Sequence, residues 1–496
     1  MRLSKSYVYD FPALRRRMFA AAALAMLGAC SLAPVHQAPP LPLPAAFKEA
    51  GDWVPATPAD DAPRGAWWAV FNDPVLDELA NAVQVSNQNV AAASAAYAQA
   101  RALVASQRAS LFPVVSLDAG ADRSRSSSGS AGTSSLAGAS TSSSTTTTTT
   151  TGSGARVRNV YQAGLGASWE PDLWGRLRGG VDSASASAAA SQADLASATL
   201  SAQGEVVVNY LNLRETDVQS ELLQATIAGY QRVRQITQNR YDAGVIPKTD
   251  LLQAETQLAS ALADQVGLQR QRAQLEHAIA VLVGRAPADF SITPAAWSPT
   301  VPEVPLVLPA TLLQRRPDIA GAERRVAAAN ADIGIARAGY FPSIGLTASY
   351  GYGASRVGDL FNASASAWSL GLSLAQRIFD AGAVSAQVAA ARAVQERTAA
   401  QYRQTVLVAF QDVEDQLAAT RVLALQLGYR RDASAAADQV EQQVLNRYRA
   451  GQVSYTEVVT AQATALQARR TLAQLQADRQ VVAVALMQAL GGGWQR

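Results

Sequence analysis

The second half of this 496-residue chain repeats its first. The run Asn239-Arg240-Tyr241-Asp242-Ala243-Gly244 returns as Asn446-Arg447-Tyr448-Arg449-Ala450-Gly451. The match continues at the same spacing, pairing Thr249 with Thr456, Asp250 with Glu457, Ala254 with Ala461, Arg272 with Arg479 and Gly284 with Gly491. Upstream, Phe112-Pro113 returns as Phe341-Pro342, and the alternating stretch through Leu165 returns through Leu370. Each half reads, in order, as an alanine-rich run, a Phe-Pro, two alternating stretches and a very long helical run. Repetition on this scale implies two equivalent structural units. It predicts a first repeat over 74–284 and a second over 317–490, joined by a proline-rich linker over 285–316 and followed by a short tail over 491–496.

Residues 1–29 read as a signal peptide. Arg15, Arg16 and Arg17 precede an apolar core over 18–27 that is too short to cross a bilayer, and Leu27-Gly28-Ala29 leads to Cys30. Cys30 is the one cysteine in the chain, so it has no intramolecular partner. A Cys after a Leu-small-small triplet resembles a bacterial lipobox, which makes Cys30 the expected site of diacylation and 30–73 a lipid-anchored segment. The alternative is a free thiol in an ordinary signal peptide. Ser31, where an Asp would suggest retention at the inner membrane, implies sorting to the outer membrane.

Charged residues make up 16% of the chain, against about a quarter in ordinary soluble domains, and mean hydropathy is +0.01. The 42 Lys and Arg are interspersed with 39 Asp and Glu and form no stripe or tail, which argues against a nucleic-acid partner. No apolar run after residue 29 reaches the roughly 18 residues of a spanning helix, so any crossing by the mature chain must be made by strands.

Four segments have the pattern for that. Val115, Leu117, Ala119 and Ala121 alternate with Ser116, Asp118, Gly120 and Asp122; Tyr161, Ala163, Leu165, Ala167 and Trp169 alternate with Gln162, Gly164, Gly166 and Ser168. In the second half Ile344, Leu346, Ala348, Tyr350 and Tyr352 oppose Gly345, Thr347, Ser349 and Gly351, and Trp368, Leu370, Leu372 and Leu374 oppose Ser369, Gly371 and Ser373. Period-two alternation of apolar with small or polar residues is the pattern of a membrane barrel with a wet lumen, giving hairpins over 114–170 and 343–375. Two soluble hairpins packed on helices would be the alternative. Phe112, Trp169, Trp174, Phe341 and Phe379 cluster at one end, as an interfacial belt does. The low-complexity run 124–154, with threonines from Thr145 to Thr151, predicts a mobile extracellular loop.

The remainder reads as helix. Two stretches of about 65 residues, ending near Arg240 and Arg447, would each form a rod of roughly 100 Å. Gly244 and Gly451 suit left-handed caps, so each half folds back at a tip near 244 or 451. The next helices start after Pro247 and at Ser454-Tyr455-Thr456-Glu457, which matches a capping box. A sheet of four strands cannot stand open in lipid, so copies of the chain must complete it. Two, three or four would give eight, twelve or sixteen strands.

Trp67-Trp68-Ala69-Val70-Phe71-Asn72-Asp73-Pro74, Glu170-Pro171-Asp172-Leu173-Trp174-Gly175-Arg176, the two Asn-Arg-Tyr-x-Ala-Gly tips and Leu312-Leu313-Gln314-Arg315-Arg316-Pro317-Asp318-Ile319 resemble the outer membrane factor family, TolC-like exit ducts, in its lipoprotein NodT-type branch. The resemblance implies a homotrimer with a twelve-stranded barrel in outer-membrane lipid and a helical coiled-coil tunnel. It further implies a periplasmic adaptor and an inner-membrane transporter as partners. Carried over residue by residue, it places gate candidates at Asp250, Tyr448 and Glu457, with Tyr448 bonded to Asp250. Val453 stands where an arginine latch is expected and Thr460 where a second acidic ring is. The expected function is passive conduction in efflux, with a protein-secretion duct or a non-conducting coiled-coil surface protein as alternatives. His36 and His277 are the only histidines, and no metal spacing, phosphate loop or nucleophile elbow is present. The chain therefore reads as no enzyme, with neither cofactor nor metal.

Overall fold

The structure, a computed structural model, describes residues 33–35, 48, 65–126, 156–302 and 315–492. Cys30 and the signal peptide, most of the expected loop over 124–154, the linker from 303 to 314 and the tail from 493 lie outside the described residues.

The duplication is carried into the helices. A short 3-10 turn, Trp67–Phe71, comes first, and helix α1, Pro74–Ser86, opens the first repeat. The first repeat then runs α2 (Gln88–Ala109), β1 (Val114–Ser126), β2 (Arg156–Trp169), α3 (Arg176–Asp242) and α4 (Lys248–Leu282). The second runs α5 (Pro317–Ala338), β3 (Ser343–Ala354), β4 (Ser366–Ala375), α6 (Ala383–Arg449) and α7 (Tyr455–Ala489). Equivalent helices have equal lengths: 22 residues in α2 and α5, 67 in α3 and α6, 35 in α4 and α7.

The helix ends show why. At the end of α3, Gly244 N–H donates to the Tyr241 carbonyl and Val245 N–H to that of Arg240; at the end of α6, Gly451 and Gln452 do the same to Tyr448 and Arg447. This is the Schellman closure, and it needs a residue with positive φ, which Gly244 (68°) and Gly451 (77°) supply. Gly284 and Gly491 repeat the device after α4 and α7. Helix starts were less legible. Ser454 sits at the N-cap of α7, but its side chain makes no cap bond, so the expected capping box with Glu457 is not formed. Burial of the intervening Tyr455 dominates that turn instead.

The chain divides into two compact units. One, containing 105–181 and 331–390, holds a single antiparallel sheet in the order β1-β2-β3-β4. Both strands of the first hairpin run further than the alternation suggested, β1 to Ser126 and β2 from Arg156, because the ladder pairs Ser124 with Arg158 and Ser126 with Arg156 beyond the apolar stretch. Trp174 stacks on Phe341 at 4.8 Å and donates its indole N–H to the Pro342 carbonyl, fixing the end of the sheet where the helices begin.

The other unit, containing 65–104, 182–330 and 391–492, is helical, and no helix among the described residues is long and apolar enough to cross a membrane. Its core is not one mass but a series of small clusters. Trp67, Trp68 and α1 pack on Val206, Val207 and Tyr210 of α3, with Ile279 of α4 and Met487 of α7. Ile319 and Val326 of α5 pack on Val406, Ala409 and Val413 of α6. Further along, Leu223, Ile227 and Tyr230 meet Ala261 and Leu268. Small residues set the spacing. At Gly204 the missing side chain leaves the space that the Gln488 amide of α7 fills, 1.8 Å from where a Cβ would stand.

Candidate functional site

In the sheet, register brings the predicted faces together across all four strands. Leu117 pairs with Leu165, Leu165 with Tyr350 and Tyr350 with Trp368; Val115, Ala167, Ala348 and Leu370 form the adjacent row, and Trp169, Leu346 and Leu372 the next. The opposite face carries the rows Ser116, Gly166, Ser349 and Ser369, and Ser168, Thr347 and Gly371. The apolar rows have no protein cover: Leu117, Leu370 and Leu372 are each 75% exposed, and Trp368 77%. An apolar face over four strands opposite a glycine- and serine-lined one is the pattern of membrane-barrel strands. Strands β1 and β4 each have one unpaired edge. Such edges cannot remain open in a membrane.

At the helical tip, the second repeat builds a cluster from Tyr448, Tyr455 and Val458 against Val233 of α3 and Ala254 of α4. The two phenol rings lie 5.7 Å apart, and the Arg240 guanidinium covers the Tyr448 ring at 4.9 Å. Arg240 also donates to the Arg449 carbonyl, tying the end of α3 to that of α6. Burial, followed by the fields of Tyr448, Tyr230 and Asp250, pushes the Tyr455 hydroxyl up to about 12.

All three gate candidates sit at this tip. Asp250 is in the first turn of α4, where the helix dipole favours a carboxylate, and Glu457 is in the first turn of α7. The bond expected between Tyr448 and Asp250 is not made: the Tyr448 hydroxyl is buried with no hydrogen-bond partner among the described residues. The ring is seated between Tyr455 and Arg240, and that packing fixes where its hydroxyl lies. Glu457 is exposed and lines, with Val440, Val444, Thr456 and Thr460, a groove of about 440 Å³. The Arg240 contact and the role of Tyr455 were missed from sequence. The signal was present, since Tyr455 stands where the first repeat has Lys248.

A second set of residues anchors the linker. Arg214 and Arg272 both bind Asp217, at 3.1 and 2.8 Å. Arg214 then donates to the Thr293 carbonyl and Arg272 to that of Ile292, while Glu276 accepts from Ile292 N–H. Gln480, 2% exposed, accepts from the Trp297 indole and donates to the carbonyls of Ser298 and Thr300. Two of the motif residues that suggested a family form a comparable clamp. Arg316 bridges Asp318 (2.8 Å) and Asp412 (3.1 Å) and donates to the Ala489 carbonyl. These groups hold chain in place rather than meet a solute.

Four strands with one uncovered apolar face, in a chain whose paired long helices turn back at glycine caps, mark the class of outer-membrane channel proteins. The profile described as outer membrane efflux protein matches residues 79–285 and 308–492, and the chain belongs to that family. It is 31% identical to the antibiotic efflux pump outer membrane protein ArpC of Pseudomonas putida over 472 residues, 95% of this chain and 94% of that one. It is 30% identical to the pyoverdine export outer membrane protein OpmQ of Pseudomonas aeruginosa, covering 95% and 97% of the two chains. Its fold superposes on the outer-membrane channel OprN with a TM-score of 0.82 at 29% identity, covering 94% of this chain and all of that one.

Proposed function

We propose that this protein is the outer-membrane exit duct of a tripartite efflux system. Three copies complete a twelve-stranded barrel, a periplasmic adaptor docks on the helical tips, and an inner-membrane transporter supplies the energy. The observation that carries the reading is the four-stranded sheet with one uncovered apolar face, one small and polar face and two unpaired edges. Relatives of nearly equal identity are named for antibiotic efflux and for pyoverdine export. That spread is what a passive duct predicts, because its wall does not choose the cargo. Cys30 carries the lipid anchor, and the tip holding Asp250, Tyr448 and Glu457 is the gate.

The purified protein is expected to be a trimer that conducts ions in planar bilayers. Leu372→Arg should abolish assembly in the outer membrane, since a charge on the lipid face at mid-bilayer costs roughly 2–4 kcal/mol. A stable, non-conducting monomer would overturn the duct. An unmodified Cys30 at the mature N-terminus, read by mass spectrometry, would overturn the anchor alone.

A further inference from the structure

The apolar face of the sheet ends abruptly. On β1 the outward positions run Val115, Leu117, Ala119, Ala121, Arg123 and Arg125, and on β2 they run Trp169, Ala167, Leu165, Ala163, Tyr161, Asn159 and Val157. The register pairs Ala121 with Tyr161, Arg123 with Asn159 and Arg125 with Val157. On β3 and β4 the same face holds Ile344 through Ala354 and Ser366 through Leu374 at alternate residues, with no charge. Among the described strand residues, Arg123 and Arg125 are thus the only charged side chains facing outward. Both have the same sign, both lie at the end of the strand away from the helices, and both are exposed. The acids of β1, Asp118 and Asp122, fall on the opposite face, and no ion-pair partner for either arginine is found among the described residues.

Height matters as much as sign. Measured from Val114 at ~3.4 Å per residue and a tilt of about 40°, Ala121 lies about 18 Å along the bilayer normal, Arg123 about 23 Å and Arg125 about 29 Å, so the two arginines straddle the edge of a barrel's roughly 25 Å apolar band. Tyr161, opposite Ala121, is the last aromatic before that edge, and the two arginines follow it, about 7 Å apart along the strand. A guanidinium there is at headgroup level, with its fork free to take phosphate oxygens in pairs and Asn159 beside Arg123 as a neutral donor.

We propose that Arg123 and Arg125 form a binding site for the phosphate of an anionic glycolipid in the outer leaflet, which clamps this edge of the barrel into the membrane. The assignment rests on the outer-membrane reading above.

Native mass spectrometry of the full-length protein extracted from outer membranes tests it, with bis-phosphorylated lipid A, its dephosphorylated form and inorganic phosphate as probes. The phosphorylated lipid should bind at least tenfold more tightly than the dephosphorylated one. R123Q/R125Q should erase that preference, each arginine accounting for about fivefold. R123K/R125K, which keeps the charge, should retain much of the preference, and R158Q, on the other face, all of it. Equal binding of phosphorylated lipid by R123Q/R125Q and the parent overturns the site, as does equal binding of both lipids by the parent. Displacement of the lipid by equimolar inorganic phosphate would make it a free-anion site and overturn the lipid assignment. If the double variant fails to assemble, R123Q and R125Q are read singly. Failure of the underlying reading shows separately, as absence of the parent protein from the outer-membrane fraction.

Discussion

The two tips of this molecule descend from one sequence and have diverged in what they bury. Tyr241 and Tyr448 occupy the same place in the repeat, before glycines of like φ and in the same Schellman closure. Yet Tyr241 is 36% exposed and Tyr448 only 4%. The difference traces to one residue across the turn. In the second tip Tyr455 offers a ring for Tyr448 to pack on; in the first, the equivalent Lys248 offers an ammonium that stays in water. Arg240 then leaves its own hairpin to cover Tyr448, so the first tip closes the core of the second. A duplicated backbone thus carries an asymmetric core.

The largest expected effect is from Tyr455→Ala, which removes a 1% exposed ring from the tip cluster. It should lower local stability by about 3–5 kcal/mol, against no more than about 0.5 kcal/mol for Tyr241→Ala. Hydrogen exchange of the amides in 230–260 and 440–465 measures both. Equal losses would break the comparison.

Alkali offers a second test. Because the folded state holds the Tyr455 hydroxyl at about 12, above the ordinary phenol value near 10, the neutral ring contributes stability that is whole below pH 10. It is lost as pH rises through 12. Tip protection should fall across that window in the parent and not in Tyr455→Phe.

The smallest effect sharpens the comparison most. Tyr448→Phe removes a buried hydroxyl that has no partner and should raise tip stability by about 1 kcal/mol. Destabilisation instead, with a rise in conductance, would show that the hydroxyl finds Asp250 in the assembled protein.

Much of this was legible in the chain. The four strands were marked by alternation and their faces met as predicted, because a pleat forces every second side chain to one side and lipid rewards only one pairing of faces. The helix ends were marked by glycines, because a Schellman closure demands positive φ. The capping box at Ser454 was misread, since the motif states what a turn can do and not what its neighbours bury. The bracket of Arg214, Asp217, Arg272 and Glu276 was invisible, as its four charges come from two helices and grip carbonyls of a third segment.

The sequence by itself determined the repeat, the lengths of the rods, the turns and the lipid face, all of which follow from local geometry and period. Only the tertiary structure decided which tyrosine is buried, where Arg240 reaches and that the Tyr448 hydroxyl makes no bond to Asp250. Those outcomes depend on side chains brought together from distant helices, where packing in three dimensions overrides what each segment would do alone.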